Sequence, residues 1–376
     1  MLLIFAFLII ASLFATRISD KIGVPVLVVF LAVGLIVGSD VLGLIEFSDA
    51  KFTKQVAEIL LIFILFDGGF RTGRSDLQIA AKPAITLASR ISRFLFNHLH
   101  SENRGYFYVL IIGVILLGYG FADLIRANGI IAVFFMGYWL GNSDFVAKRG
   151  VSHFLEGISS FCNMALFLML GLLAFPRNFA LIWKEGLLIA GLMIFLARPV
   201  AVFLSTLPFH YSFKEKLFLS WGGIKGAVPI VLATYPAAYG LENGESVFNI
   251  IFFAVLISCL LQGSSLGKFA KLFKLTTHKS PSSPFSMELH STKQSDIDMF
   301  EYLISENSYC AEKTIRDLKF DPDVVITSIT RNGKILLPRG AVKLLPEDIL
   351  FILAPLSRHH ELRLFLSKGP ISTDEA

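Results

Sequence analysis

The sequence predicts a polytopic α-helical membrane protein joined to a small α+β soluble domain. Three observations carry this. Hydrophobic residues make up 54% of the 376 positions and charged residues only 17%, whereas soluble domains run at about 45–50% and about 25%. Phe alone accounts for 36 residues, and mean hydropathy is +0.67. Charge is also unevenly spread. Residues 1–277 hold 22 Lys and Arg and 15 Asp and Glu, while the 99 residues after them hold 12 and 14. The first part has the composition of a membrane domain and the second that of an ordinary soluble one. A disordered chain is excluded and an ordinary soluble enzyme disfavoured. Three Cys without local pairing exclude a disulfide scaffold.

Nine apolar stretches read as spans: 1–16, 24–38, 56–66, 106–121, 129–141, 154–175, 186–207, 217–238 and 247–267. Several fall short of the roughly 20 residues a full span needs, a shortfall that local thinning of the bilayer or extension into flanking residues accommodates. The first begins at Met1 with no basic residue before it, so it reads as a helix rather than a signal peptide. With the soluble tail placed in the cytoplasm, inside segments hold 15 Lys and Arg and outside segments hold 5. That bias predicts an outside N-terminus, an inside C-terminus and an odd number of spans. The net charge of +5 is +7 in residues 1–277 and −2 in the tail, and the excess sits in loops, so it reports topology and not nucleic-acid binding. Residues 83–89 start like a helix but run into Arg90 and Arg93, then His98, His100, Glu102 and Arg104. The segment 67–105 thus reads as one long cytoplasmic stretch containing a span begun and not finished.

Within the spans, three residues attract attention. Arg198 sits in F-L-A-R-P-V-A near the middle of 186–207. A central Arg costs about 2.5–3.5 kcal/mol on insertion scales, so it asks for a protein partner. Pro199 removes a backbone donor and bends the helix. An ion pathway and a structural buried ion pair fit this context equally. Lys225 lies in W-G-G-I-K-G-A-V-P-I, residues 221–230, where three Gly and a Pro interrupt an apolar span. Interrupted helices at membrane depth mark ion or substrate sites, which favours function over a snorkelling Lys. Asp67 ends the third stretch in D-G-G-F-R-T, where a capped helix end beside Arg71 explains it as well as a site does. Glu58, Asp123 and Glu156 read as interfacial charges.

Other chemistries lack ligands. None of the eight His falls within a span and there is no H-E-x-x-H, so neither a metal site nor a cofactor is expected. Cys162 and Cys259 read as apolar core residues, and Cys310 stands alone. Gly118-Tyr119-Gly120 lacks the Thr-Val of a potassium filter and lies in a helix-length apolar run, which disfavours a channel.

Residues 278–290, opening with His278-Lys279-Ser280-Pro281-Ser282-Ser283-Pro284, read as a linker to a domain over 291–372. There, 297–304 alternates like a strand and 311–319 fits a short helix. Val324–Thr330 and Lys334–Leu337 flank Asn332-Gly333, a strong hairpin signal. Ile349–Leu353 is a short buried-type strand after the turn Pro346-Glu347-Asp348, and 357–367 fits a closing helix. Without a nucleophile constellation or phosphate loop, binding and dimerisation are favoured over catalysis.

Arg198-Pro199, the 221–230 motif and Asp67-Gly68-Gly69-Phe70-Arg71-Thr72 together resemble the NhaP-type monovalent cation/proton antiporters, most closely the bacterial potassium/proton branch. Leu260-Leu261-Gln262-Gly263-Ser264-Ser265-Leu266 fits the same family near its last membrane helix. Glu306-Asn307-Ser308, Lys313-Thr314-Ile315 and Leu345-Pro346-Glu347-Asp348 resemble the TrkA-C, or RCK-C, regulatory domain. The resemblance covers about 1–89 and 106–372. It implies an inverted-repeat fold of about thirteen spans in the bacterial inner membrane, a homodimer, exchange of potassium or sodium for protons, and a small regulatory ligand at the tail. It implies no enzymatic activity.

The resemblance also implies what is missing. Family members bind the ion with an unwound helix bearing Thr-Asp and a neighbour bearing Asn-Asp, whose carboxylate takes proton and cation in turn. Neither pair occurs in a span here, and Asn142-Ser143-Asp144 is a loop. Ser89 is followed almost directly by what resembles a much later part of the family, with the gap falling between 89 and 106. Arg198 and Lys225 resemble basic positions that support the site in relatives, and Asp67 belongs to the third matching motif. The expected outcome is an internally truncated antiporter, inactive or strongly impaired. The alternative is a non-transporting, membrane-anchored ligand-binding or regulatory remnant.

Overall fold

The computed structural model describes residues 2–45, 47–73, 105–143, 145, 148–209, 211–223, 226–275 and 297–369. The chain divides into two compact units, Met1–Thr276 and Thr277–Ala376. In the first, α1 (Leu2–Ile22), α2 (Val26–Val37) and α3 (Ala50–Arg71) precede α4 (Gly105–Leu124), α5 (Gly129–Gly141) and α6 (Lys148–Leu173). Then come α7 (Pro176–Leu192), a π-helical turn at Met193–Ala197, and α8 (Arg198–Ser205). The unit closes with α9 (Phe213–Trp221), α10 (Val228–Ala238) and α11 (Gly244–Leu272).

Among the described residues four stretches are long and apolar enough to cross a bilayer: Gly105–Leu124, Gly150–Leu173, Pro176–Ser205 and Gly244–Leu272. Shorter apolar helices, Val26–Val37 and Gly129–Gly141 among them, accompany them. Side chains fix several helix starts. The Phe52 N–H donates to Asp49 at 2.9 Å and the Ile131 N–H to Asn128 at 3.1 Å. Ser212 and Glu215 form a reciprocal capping box at α9, in which the backbone N–H and hydroxyl of Ser212 hold the Glu215 carboxyl below its ordinary range.

Three expected spans change shape. The third extends over the full 22 residues of α3, because its polar first turns find partners described below. The seventh begins at Pro176 rather than 186, since Pro is tolerated at the first helical position. With the π turn it forms a 30-residue stretch, about 45 Å long against a hydrocarbon core of about 30 Å. The stretch 217–238 is broken between Trp221 and Val228, where Gly222, Gly223 and Gly226 fall, and Pro229 sits in the first turn of the helix that follows. Ile224 and Lys225 themselves lie outside the described residues. So do the unfinished span at 83–89 and the linker at 278–290.

The helices close on one another through glycine. Gly69 of α3 faces the carbonyl oxygen of Phe134, while Gly137 and Gly141 of α5 face those of Phe66 and Phe70. Gly137 and Gly141, one turn apart, form a small-xxx-small seam. The crossing of α2 and α6 repeats the device, with Gly34 on the carbonyl of Leu168 and Gly171 on that of Leu31. Lipid supplies no hydrophobic drive between helices, so backbone proximity of this kind provides the contact. Gly118-Tyr119-Gly120 sits inside the continuous helix α4, with the Tyr119 ring over Gly129. It forms no filter loop.

The second unit is a four-stranded antiparallel sheet of β1 (Ile297–Leu303), β2 (Val325–Arg331), β3 (Lys334–Leu336) and β4 (Ile349–Pro355), in the order β1-β4-β2-β3. The tight turn between β2 and β3 puts Asn332 at φ 48° and Gly333 at φ 71°, the left-handed pair that a two-residue hairpin requires. The apolar run of β4 makes it a central strand, and α12 (His359–Lys368) covers the core with Leu362 and Leu366. The helix expected over 311–319 shrinks to one 3-10 turn, Ile315–Leu318. Its physical reason is tertiary: Thr314 bridges Lys343, which holds the preceding chain extended. Asp348 is 1% exposed and takes a bidentate bond from Arg331, Nε to Oδ1 at 2.8 Å and Nη2 to Oδ2 at 2.7 Å. The Leu345 N–H adds a third bond at 2.8 Å.

Candidate functional site

Three loci in the membrane unit carry charged side chains. The first is Asp67, one turn from the end of α3 and buried. Its Oδ1 accepts from Arg71 Nε at 2.9 Å. Arg71 also reaches Glu156 of α6 at 3.5 Å. Beyond the helix, Asn142 donates to the carbonyl of Thr72 at 2.8 Å. The D-G-G-F-R-T motif therefore combines a glycine contact with α5 and an ion pair that fastens its own helix end to α6.

The second locus is Arg198. Its backbone N–H reaches back to the carbonyl of Met193, and this wide turn lets the helix continue into Pro199. The guanidinium lies over Gly223, in the space where any larger residue would place its side chain. The surrounding motifs build this seat. Trp221 Nε1 donates to Ser265 Oγ at 2.8 Å, and the Trp221 ring stacks on Phe269 at 4.4 Å. Gly263 receives the ring of Pro25. The L-L-Q-G-S-S-L stretch is thus a clamp on the broken helix. Arg198 is exposed on the surface of this unit and has no hydrogen-bond or ion-pair partner among the described residues; α8 contains no buried residue. No bond or ion pair joins it to Asp67, and Lys225, the third sequence candidate, is outside the described residues.

Sequence reasoning missed the third locus. Glu58, read as an interfacial charge, pairs with Lys54 at 3.1 Å and accepts from the Tyr235 hydroxyl of α10. The Lys54 ammonium lies 4.6 Å from the Tyr235 ring centre and 5.1 Å from that of Tyr239. The four-residue spacing of Lys54 and Glu58 was visible in the sequence. Tyr235 was not, because it arrives through helix packing.

Among the described residues, no group of three His, Cys, Asp or Glu side chains comes together to hold a metal ion. The charges instead pair along α3, Lys54 with Glu58 and Asp67 with Arg71, and reach across to α10 through Tyr235 and to α6 through Glu156. Such pairs orient helices. Asp67 is held through Oδ1 by Arg71, and Glu58 through Oε1 by Lys54 and Tyr235.

Comparison with known proteins adds to this geometry. The family model described as sodium/hydrogen exchanger, transmembrane, matches residues 6–91 and 84–272, and the TrkA-C domain matches 299–367. The K(+)/H(+) antiporter NhaP2 of Shewanella sp. strain MR-4 is 27% identical over 480 residues, covering 98% of this chain and 83% of that one. The K(+)/H(+) antiporter NhaP of Alkalimonas amylolytica is 26% identical over 481 residues, covering 99% and 84%. A Na(+)/H(+) antiporter of Methanocaldococcus jannaschii is 31% identical over 179 residues, 41% of this chain and 40% of that one. The solved structure of the M. jannaschii sodium/proton antiporter at pH 8 superposes with a TM-score of 0.57 at 18% identity, covering 69% of this chain and 97% of that one. The likeness establishes a shared fold. The match to the Shewanella protein runs over 480 positions while this chain has 376 residues, so at least 104 of those positions have no counterpart here. The two matches of the transmembrane family model meet at residues 84–91.

Proposed function

We infer that this chain, which belongs to the sodium/hydrogen exchanger family, is a multi-pass membrane cation/proton antiporter by descent whose own exchange is lost or strongly impaired. The observation that carries the impairment is the length mismatch: relatives matched over nearly all of this chain hold at least 104 positions that it lacks. The family match is split at 84–91, which supports a gap that opens near Ser89. A segment of that length is ample for the ion-site helices, and removal of an even number of spans leaves every later span in its original orientation. The loop-charge bias fits that orientation, with the N-terminus outside and the TrkA-C domain in the cytoplasm.

The ancestral cargo is potassium or sodium against protons across a bacterial inner membrane. Potassium is favoured, because relatives named for it align along nearly the whole chain and the one named for sodium aligns along 41%. Arg198, Lys225 and Asp67 would support the site in such a scaffold, not form it. Everted vesicles containing only this antiporter test the reading. An imposed ΔpH should survive addition of potassium or sodium as it does in vesicles from the empty host. Cation-dependent dissipation would overturn the impairment.

A second reading is favoured by the tail, whose sheet, hairpin and Arg331–Asp348 pair form a complete core. It makes the chain a membrane-anchored regulatory protein that dimerises or binds a small ligand through residues 291–372. A fragment of that length should fold and self-associate in analytical ultracentrifugation. A monomeric fragment that also gives no calorimetric response to candidate ligands counts against it.

A further inference from the structure

We propose that the start of α3 and the end of α10 form a binding seat for a small primary ammonium ion, and that the Lys54 side chain plugs this seat. Three walls enclose the Lys54 ammonium. The Glu58 carboxylate lies 3.1 Å away, and the ring centres of Tyr235 and Tyr239 lie at 4.6 and 5.1 Å. The two ring planes are tilted by 57° with their centres 6.2 Å apart, and both turn a face to the same charge. A carboxylate beside two aromatic faces is a chemistry that recognises ammonium groups, through hydrogen bonds on one side and ring electrons on the other.

The walls hold one another without Lys54. The Tyr235 hydroxyl donates to Glu58, and Tyr235 packs against Tyr239. The Tyr119 phenol of α4 joins the cluster, within electrostatic reach of Glu58 and Tyr235, and its ring is seated over Gly129. Lys54 is the movable part. It sits on a flexible stem in a four-residue pair of the weak kind and keeps 16% of its side chain exposed. When it swings out, a carboxylate is left between two ring faces. A mobile ammonium ion restores both the charge and the donors that Lys54 supplied.

The test reads the thermal transition of the full chain in detergent at pH 7.5 while ethylammonium chloride replaces sodium chloride at constant ionic strength. A ligand that binds only the folded chain raises the transition in proportion to its occupancy. In Lys54→Ala the response should begin at a concentration at least tenfold lower than in the wild type, where Lys54 competes. Tetramethylammonium, which cannot donate to Glu58, and potassium should each need at least tenfold more than ethylammonium. Glu58→Gln or Tyr239→Leu added to Lys54→Ala should remove the low-concentration response; Lys54→Ser replaces the Ala variant should it fail to fold. Four results would overturn the proposal: no rise in the variant, the same response in variant and wild type, a response that survives Glu58→Gln, or potassium acting as well as ethylammonium. Antiport by the chain, present or absent, leaves this readout unchanged.

Discussion

Gly141 meets the carbonyl oxygen of Phe70 with no room between them for a methyl group, and Gly137 meets that of Phe66 in the same way. The crossing of α3 and α5 is thus set by backbone contact. Gly141→Val should force the helices apart and cost on the order of 1–3 kcal/mol, seen as a lower thermal transition in detergent. Gly113→Ala on α4, with nothing within 4 Å of the new methyl, should be neutral or slightly stabilising. Equal effects of the two substitutions would show that the seam does not hold the fold.

The Tyr235–Glu58 bond ties α10 to α3 and brings Lys54 under two aromatic rings. A bond to a charged group contributes about 1.5–3 kcal/mol. Tyr235→Phe and Glu58→Gln should each lower the thermal transition, and the double variant should fall short of the sum by at least about 0.5 kcal/mol. Strict additivity would mean the contact contributes nothing.

Much of this architecture was legible in the sequence where the signal is local. Asn332-Gly333 specifies its hairpin through backbone preference alone, and the run Ile349–Leu353 announces a strand buried on both sides. The break after Trp221 follows from glycines and Pro229. What was hidden depends on distant partners. The helix expected at 311–319 lost to a bridge from Thr314 to Lys343. Glu58 looked interfacial because Tyr235 lies 177 positions away. Arg198 was read as a residue needing a partner, and composition could not say that its neighbours would leave it exposed. The clamp of Trp221 on Ser265 likewise joins two motifs that were recognised separately.

Arg331, partly exposed, pairs with the buried carboxylate of Asp348 in the tail. Asp348→Asn weakens a bidentate bond, whereas Arg331→Met leaves a carboxylate at 1% exposure with one backbone donor. Removing one partner of such a pair costs about 3–5 kcal/mol. Arg331→Met should unfold the tail first, releasing residues 297–369 to limited proteolysis while the membrane unit resists. Replacing both by apolar residues should recover most of the loss. A double replacement as damaging as the single one would show that the pair fixes the Leu345–Asp348 turn and not merely its own charge.

Cys310 is fully buried, and burial pushes its thiol up to about 11, against about 8.5 in an unfolded chain. The folded domain therefore holds this proton more tightly than the unfolded one. Its contribution to stability is complete below about pH 8.5 and drains away as pH climbs towards 11. The tail transition should fall across that window, by on the order of 3 kcal/mol from this group. Cys310→Ala should flatten the fall while lowering stability at neutral pH through the space it leaves. The Tyr302 hydroxyl, also raised by burial, keeps some alkaline slope in the variant. In the native protein at pH 8 the thiol should resist maleimide, and denaturant should expose it. Rapid labelling of Cys310 in the folded chain, or an unchanged alkaline slope in the variant, would remove burial as the cause.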